Sequence, residues 1–380
     1  MPFDLHQTTL SGDTPGQSTQ LFWYTAGPAD AQQRVHLQAA LHADEQPGTM
    51  VLHHLLPRLR DADAAGQLRA GFTIFPSVNP LGLANRSLRH HIGRYDIETG
   101  INYNRRWPDL FPLIAGSIAG RLGGDADENI RVIRKAVLDW IDDQSGATAI
   151  QQLRLLVLRS AVQADIVLDL HCDDESLMHI FTSPELMPGL QDLADWMGVA
   201  ATLTAEDSGG GSFDEVLPSL YRRARLANAD TPIPNGAETA TLEYRGRADS
   251  FDELGASDAE NLFNFFVGRG LISAPARQTP HPAPAPTPFE ATEVLRVNAP
   301  GLLAYRVELG ERVTKGQPIA DIIAMDGPEA FMGRTPVVAG TDGIVLSRVT
   351  AKYVRRGTGI AKIVGTTPLP TRAGGYLLED

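Results

Sequence analysis

Three short segments of this 380-residue chain hold side chains able to bind a divalent metal and activate water. They are His42-Ala43-Asp44-Glu45, Asp169-Leu170-His171-Cys172-Asp173 and Thr241-Leu242-Glu243. Imidazole nitrogen and carboxylate oxygen are good zinc ligands, and two His with one carboxylate leave a fourth position open for water. A separate carboxylate is then needed to take the proton from that water. Each segment also has a plainer reading. His42 and Glu45 fit a loop hydrogen bond or a helix-start carboxylate, His171 fits a satisfied histidine at a strand end, and Glu243 fits an ion pair with Arg245 or Arg247. Agreement among the segments, more than any one of them, points to metal-assisted hydrolysis.

Each of these segments closes a stretch that reads as a strand. Leu21–Ala26 and Val35–Leu41 are short and β-rich, and Phe72–Val78 is rich in β-branched and aromatic residues. Ala164–His171 is an apolar run of buried-strand type ending in polar residues, and Thr239–Tyr244 is a further short strand. Between them lie helical patterns at Gly48–Arg60, Glu128–Asp142 and Ala147–Val162, with a last helix expected over Asp258–Val267 behind Ser257 as N-cap. Strands alternating with helices predict an α/β layered domain with a parallel or mixed sheet, whose functional residues gather at the carboxyl ends of strands. Alternation along the strand turns Cys172 away from His171 and leaves Asp169 on the same face as His171, placed to orient it or to close the strand. His53, His54, His90 and His91 read as loop or helix surface.

Composition bounds the alternatives. Apolar residues make up 43% and charged residues 21%, as in ordinary globular chains. A net charge of −13 argues against nucleic acid or an anionic membrane as partner. No apolar run suggests a membrane span, and the N-terminus lacks the pattern of a signal peptide, so a cytoplasmic location is expected. One cysteine excludes an intramolecular disulfide and a Cys-based zinc cluster. The run Asp207–Glu215 is glycine-rich but lacks the lysine and spacing of a nucleotide loop. It reads as a flexible active-site loop on which Asp214 and Glu215 could meet a cationic substrate group.

A fourth region adds Asn79-Pro80, Gly93-Arg94 and Asn102-Tyr103-Asn104-Arg105-Arg106-Trp107-Pro108. With these in place the chain resembles the succinylglutamate desuccinylase/aspartoacylase family, relatives of the zinc carboxypeptidase A fold. That family shows His-x-x-Glu, Asn-Pro, an Arg, Asn-Arg before an aromatic-Pro, Asp-Leu-His and a late Glu, and all occur here in that order over residues 35–250. The resemblance implies one zinc per chain held by His42, Glu45 and His171. It implies Glu243 as general base and then proton donor to the leaving amine, and Arg94 beside the carbonyl oxygen, with Arg86 and Arg89 as rivals for that role. It implies Asn104 and Arg105 as the grip on a substrate carboxylate, which a planar guanidinium matches bidentately. Where the family commonly has Gly after the first His, this chain has Ala43 and then Asp44.

Residues 274–288 are dense in Pro and Ala and read as a linker between a zinc hydrolase domain over 1–273 and a small β domain over 289–380. Within the tail, Gly301–Ile323 and Gly343–Val364 look like two versions of one glycine-punctuated unit, a small barrel or sandwich. It resembles the biotinyl/lipoyl-type domain. Its hairpin region Ala324–Arg334 contains no lysine, so covalent cofactor attachment is not expected. The expected whole is an α/β/α hydrolase with a mixed sheet plus an all-β tail. The expected activity is cleavage of the amide of a small carboxylate-bearing compound, an N-acyl amino acid. A dipeptide or isopeptide such as a β-aspartyl dipeptide, and a non-catalytic zinc or ligand binder, are the alternatives. Substrate, pathway and the possibility of a homo-oligomer are left open by the sequence.

Overall fold

The computed structural model describes residues 3–275 and 280–372. The β-branched runs of the first block form one nine-stranded mixed sheet. Its strands are β1 (Asp4–Ser11), β2 (Ser18–Ala26), β3 (Arg34–Ala39), β4 (Gly71–Phe75), β5 (Ile166–Asp173), β6 (His179–Thr182), β7 (Ala201–Thr204), β8 (Glu238–Gly246) and β9 (Thr287–Pro288). They lie in the order β1-β2-β4-β3-β5-β8-β6-β7-β9. The four central strands β4, β3, β5 and β8 run parallel, and β6 turns antiparallel against β8.

Among the described residues, eight α-helices layer the sheet: α1 (Pro47–Ala64), α2 (Pro80–Ala84), α3 (Leu110–Ile118), α4 (Ala126–Asp142), α5 (Ala149–Ala161), α6 (Met187–Met197), α7 (Val216–Ala227) and α8 (Asp252–Gly268). Alternation along β5 decides which side each residue serves. Leu168 and Leu170 join Leu52, Leu55 and Leu59 of α1 and Phe265 and Phe266 of α8 in one apolar core. Val167 faces the other way, toward Val157, Leu217 and Leu220 from α5 and α7. Each fully buried leucine of this kind contributes about 2–3 kcal/mol over its exposed state. The second face becomes polar toward the strand ends, where Asp169 and His171 follow Val167.

Element ends shift for identifiable reasons. The strand expected to reach Val78 stops at Phe75, because Pro76 has no N–H for the ladder. The strand expected to reach Leu41 stops at Ala39, and Ala40 adopts left-handed backbone with φ 57°. The last helix starts at Asp252, six residues ahead of the expected start, and Ser257 lies inside it. Asp252 and Glu253 supply first-turn acids that favour the helix start in place of a serine cap. β1 escapes sequence reading because most of its side chains are exposed and no apolar run marks it.

The tail forms two further sheets from β10 (Thr292–Arg296), β11 (Gly301–Tyr305), β12 (Arg312–Val313), β13 (Pro318–Ile323), β14 (Arg334–Val338), β15 (Gly343–Arg348), β16 (Tyr353–Val354) and β17 (Gly359–Val364). The apparent repeat is real in space: β11-β12-β13 and β15-β16-β17 follow the same order with lengths of 5, 2 and 6 against 6, 2 and 6 residues. Each half lends its short middle strand to the other, β12 pairing with β15 and β16 with β11. Within the expected linker 274–288, residues 276–279 lie outside the described residues, and Thr287–Pro288 pairs with β7 at the edge of the large sheet. The tail also docks directly on the first block. The short strand Glu175–Ser176 pairs antiparallel with β15, and Leu203, Phe289, Leu346 and Val364 share one apolar cluster. No helix among the described residues is long and apolar enough to cross a membrane.

Candidate active site

Adjacent parallel strands β3 and β5 deliver the first groups. After β3 the left-handed Ala40 turns the chain so that His42 and Glu45 sit just before Pro47 opens α1. The segment at Gly93 crosses this turn closely: its carbonyl accepts from the Ala43 N–H at 3.0 Å. A Cβ on Gly93 would stand 2.2 Å from the Asp44 nitrogen, so only glycine permits the crossing. That crossing lays Arg94 against Glu45, where its guanidinium donates to Oε1. His171 arrives at the end of β5, and Glu243 stands directly beside it on β8. A register shift follows Glu243, with Arg245 at φ 63° in the irregular stretch.

His42, Glu45 and His171 are all at most 3% exposed, and their ligand atoms lie within 4.8 Å of one another. His42 Nδ1 is 3.1 Å from Glu45 Oε1, and His171 Nδ1 is 2.8 Å from Glu45 Oε2. The outer nitrogens have partners of their own. His42 Nε2 is 2.8 Å from Asn102 Oδ1, which also accepts from the Asn104 N–H and is therefore the amide oxygen. Nε2 of His42 must then be the donor, and Nδ1 is left as a bare lone pair aimed at a carboxylate. His171 Nε2 stands 2.9 Å from Asp169 Oδ2 as an ion pair out of hydrogen-bond alignment. Outer partners of this kind orient metal-binding imidazoles.

The electrostatics describe a place built for positive charge. Burial alone would raise Glu45, but His42, Arg94 and His171 hold it well below the usual carboxylate range. Burial would lower His171, yet Asp169 and Glu45 hold it well above its ordinary value. Burial and then the Arg94 charge push His42 down to about 4, keeping it neutral. A lone pair, a carboxylate and a second imidazole converging in a buried site are a donor set suited to a divalent ion, and zinc fits it.

The remaining predicted residues surround this centre. Arg94, Asn104, Arg105 and Glu243 line the same cavity of about 650 Å³ as the three candidate ligands, while Arg86 and Arg89 do not. Arg86 lies on the short strand Arg86–Ser87, which pairs with His90–His91, and Arg89 on the turn between them; both are exposed, so Arg94 alone of the three reaches the centre. Asn104 Oδ1 accepts from the Phe213 N–H at 2.8 Å, and Arg154 donates to the carbonyls of Tyr103, Arg105 and Arg106. This staples the Asn104-Arg105 loop in place. Arg245 pairs with Asp258, and Arg247 with Asp44 and Asp174, so neither neutralises Glu243. Burial, followed by the charge of Glu45, pushes the Glu243 carboxyl up to about 8.

Residues 31–204 match the Succinylglutamate desuccinylase/Aspartoacylase catalytic domain. The matched segment spans 174 of the 380 residues and contains His42, Glu45 and His171, with Glu243 beyond it. Solved structures share the fold along nearly the whole chain. A succinylglutamate desuccinylase/aspartoacylase from Shewanella frigidimarina NCIMB 400 has TM-score 0.80 at 23% identity, covering 95% of this chain and 97% of its own. A protein of the same family from Shewanella amazonensis SB2B has TM-score 0.79 at 22% identity, covering 95% and 98%. The ectoine utilization protein EutE (DoeB) from Ruegeria pomeroyi, in product-bound form, has TM-score 0.66 at 16% identity, covering 97% and 96%. No curated protein matches the chain.

Some parts of this site were not anticipated from sequence. Asn102, the partner of His42, stands inside the Asn-Tyr-Asn-Arg stretch that carries the resemblance, and its spacing two residues before Asn104 was the available signal. The tail supplies Val294, Arg296, Thr358, Gly359 and Lys362 to the cavity wall. Lys362 Nζ donates to Asp173 Oδ2, two residues beyond His171. No local pattern in the tail marks these residues, because docking alone brings them to the site. Cys172 is 2% exposed, its N–H donates to Glu45 Oε2, and burial pushes its thiol up. His53, His54, His90 and His91 lie outside the candidate metal cluster.

Proposed function

We propose that the protein is a zinc-dependent hydrolase of the succinylglutamate desuccinylase/aspartoacylase type, cleaving the amide bond of an N-acyl amino acid. The family is one of hydrolases. What carries the finer reading is the convergence of two buried Nδ1 atoms on one buried carboxylate, with a second carboxylate, Glu243, on the neighbouring strand. Zinc bound by His42, Glu45 and His171 would polarise the scissile carbonyl and bring water into a reactive, easily deprotonated form. Glu243 accepts the proton of the attacking water and returns it to the departing amine. Its place in the cavity, free of Arg245 and Arg247, leaves its carboxylate available for both transfers. Arg94 donates to the carbonyl oxygen as negative charge builds there. Asn104 and Arg105, both at most 9% exposed and held by the stapled loop, grip the free carboxylate and set the amide in register with Glu243.

The test is amine release from N-acyl amino acids by the intact chain with zinc, alongside Asp- and β-Asp-linked dipeptides. Chelator-sensitive release supports the reading. Activity that survives complete metal removal sinks it. Preference for the dipeptides would keep the chemistry and change the acyl group.

A further inference from the structure

One end of the cavity takes no part in the steps above. Its floor is Phe181 and Leu203 on β6 and β7, and Phe289 at the start of the tail packs on Phe181 with ring centroids 5.2 Å apart. Its far wall is the turn Phe213–Glu215 that leads into α7. This wall is fixed from three sides. Thr239 Oγ1 on β8 donates to the Asp214 carbonyl at 2.8 Å, and the Phe213 N–H donates to Asn104. The N–H groups of Arg106 and Trp107 donate to the carbonyls of Gly210 and Gly211. The glycine run is therefore tied to the Asn104-Arg105 loop.

The wall presents two carboxylates with no ion-pair contact among the described residues, although the charge of His171 reaches Asp214. Asp214 Oδ1 accepts from the Ser212 hydroxyl at 2.7 Å, and Glu215 Oε1 accepts from the Ser208 N–H at 2.8 Å. No Lys, Arg or His among the described residues forms an ion pair with either, although Glu206 nearby is paired with Arg222. Burial raises the Asp214 carboxyl, and burial with the neighbouring Asp214 charge pushes Glu215 up to about 7. A separate feature points to a missing partner. Ser208, 4% exposed, belongs to the same cavity wall, and its buried hydroxyl oxygen has no hydrogen-bond partner. Thr241, which faces Asp214, precedes Glu243 by two residues on one strand face. That spacing is roughly 7 Å, about the reach of a four-carbon chain.

We propose that this end of the cavity is a subsite for a cation on an aliphatic stem, so that the preferred substrates are N-acyl derivatives of basic amino acids of the lysine or ornithine type; the reading rests on the amide-hydrolase assignment above. The methylenes lie on Phe181, Leu203 and Phe289, and the ammonium meets Asp214, Glu215 and the Ser208 hydroxyl. An ammonium buried between two carboxylates removes their mutual repulsion, which a neutral side chain cannot do.

Equilibrium binding tests this apart from turnover. The full chain carrying Glu243→Gln and loaded with zinc is titrated calorimetrically with Nα-acetyl-L-lysine and with Nα-acetyl-L-norleucine. The lysine derivative is expected to bind at least tenfold more tightly. Adding Asp214→Asn and Glu215→Gln is expected to bring the two within about twofold by weakening the lysine derivative alone. Should that combination not fold, Glu215→Gln by itself must cut the preference at least threefold. Equal affinities, tighter norleucine binding, no binding of either compound, or a preference that survives the substitutions would overturn the proposal. If the preference is present but the unsubstituted zinc protein releases no lysine, the hydrolase reading fails and the cation subsite stands.

Discussion

Replacing Glu243 by Gln separates catalysis from stability in opposite directions. The side chain keeps its shape but loses its ability to move a proton, so kcat is expected to fall by about 10²–10⁴ while zinc stays bound. The folded chain should meanwhile become more stable. Burial, and then the charge of Glu45, lift the Glu243 carboxyl from 4.5 to about 8 in the metal-free protein. A raised carboxyl destabilises the fold only when it must ionise. The penalty is absent below the unfolded value, grows as pH rises between 4.5 and 8, and is complete above about 8. Its full size corresponds to about 4–5 kcal/mol, from which about 1–2 kcal/mol is lost to burying a neutral amide. The metal-free variant should thus gain about 2–4 kcal/mol at pH 8.5 and lose about 1–2 kcal/mol at pH 4.5, where only the amide cost remains. Urea unfolding of both chains at the two pH values, with turnover measured on the zinc-loaded forms, provides the assay. Turnover within tenfold of the parent, or a stability gain equal at both pH values, would refute the reasoning.

Other perturbations read different parts of the site. His171→Ala is expected to lose the bound zinc, measured as metal per chain after dialysis, whereas His54→Ala, outside the cluster, should keep it. Arg105→Lys should raise KM at least tenfold with kcat little changed, because an ammonium cannot reproduce a bidentate grip on a carboxylate. Lys362→Met should cost about 1–3 kcal/mol at pH 7 by leaving the half-buried Asp173 unpaired. Burial opposes ionisation of Asp173, but Lys362 holds its carboxyl well below the usual range, so this contribution is present at neutral pH and fades in strong acid. Denaturant curves at pH 7 and pH 3 check that sign, with the variant's deficit shrinking at the lower pH.

The parts of this site that sequence makes legible are those whose chemistry is local. His42 and Glu45 are three residues apart on one turn, and Asp169 and His171 share a strand face, so side-chain type and spacing already suggest a joint role. Glu243 is far away in sequence; its place at a strand end was readable, but its position directly beside His171 comes from the pairing of β8 with β5. Contributions that depend on docking carried no such mark. Lys362 and Arg296 belong to a strand pattern that reads the same whether it faces solvent or a cavity. The exposed strand β1 had no apolar run to announce it, and the start of α8 was hidden because acids in its first turn substitute for a capping serine. Asp214 and Glu215 were visible as acids on a glycine-rich loop, but their lack of an ion-pair contact among the described residues is a property of the packed wall.

The most direct measurement is zinc per chain together with chelator-sensitive amine release from a panel of N-acyl amino acids and α- and β-linked dipeptides. Close to one zinc per chain is expected, with release from the acyl amino acids that stops on chelation and returns when zinc is restored. A chain that binds no zinc, or one whose hydrolysis is indifferent to its removal, would contradict the assignment of His42, Glu45 and His171 as the metal site.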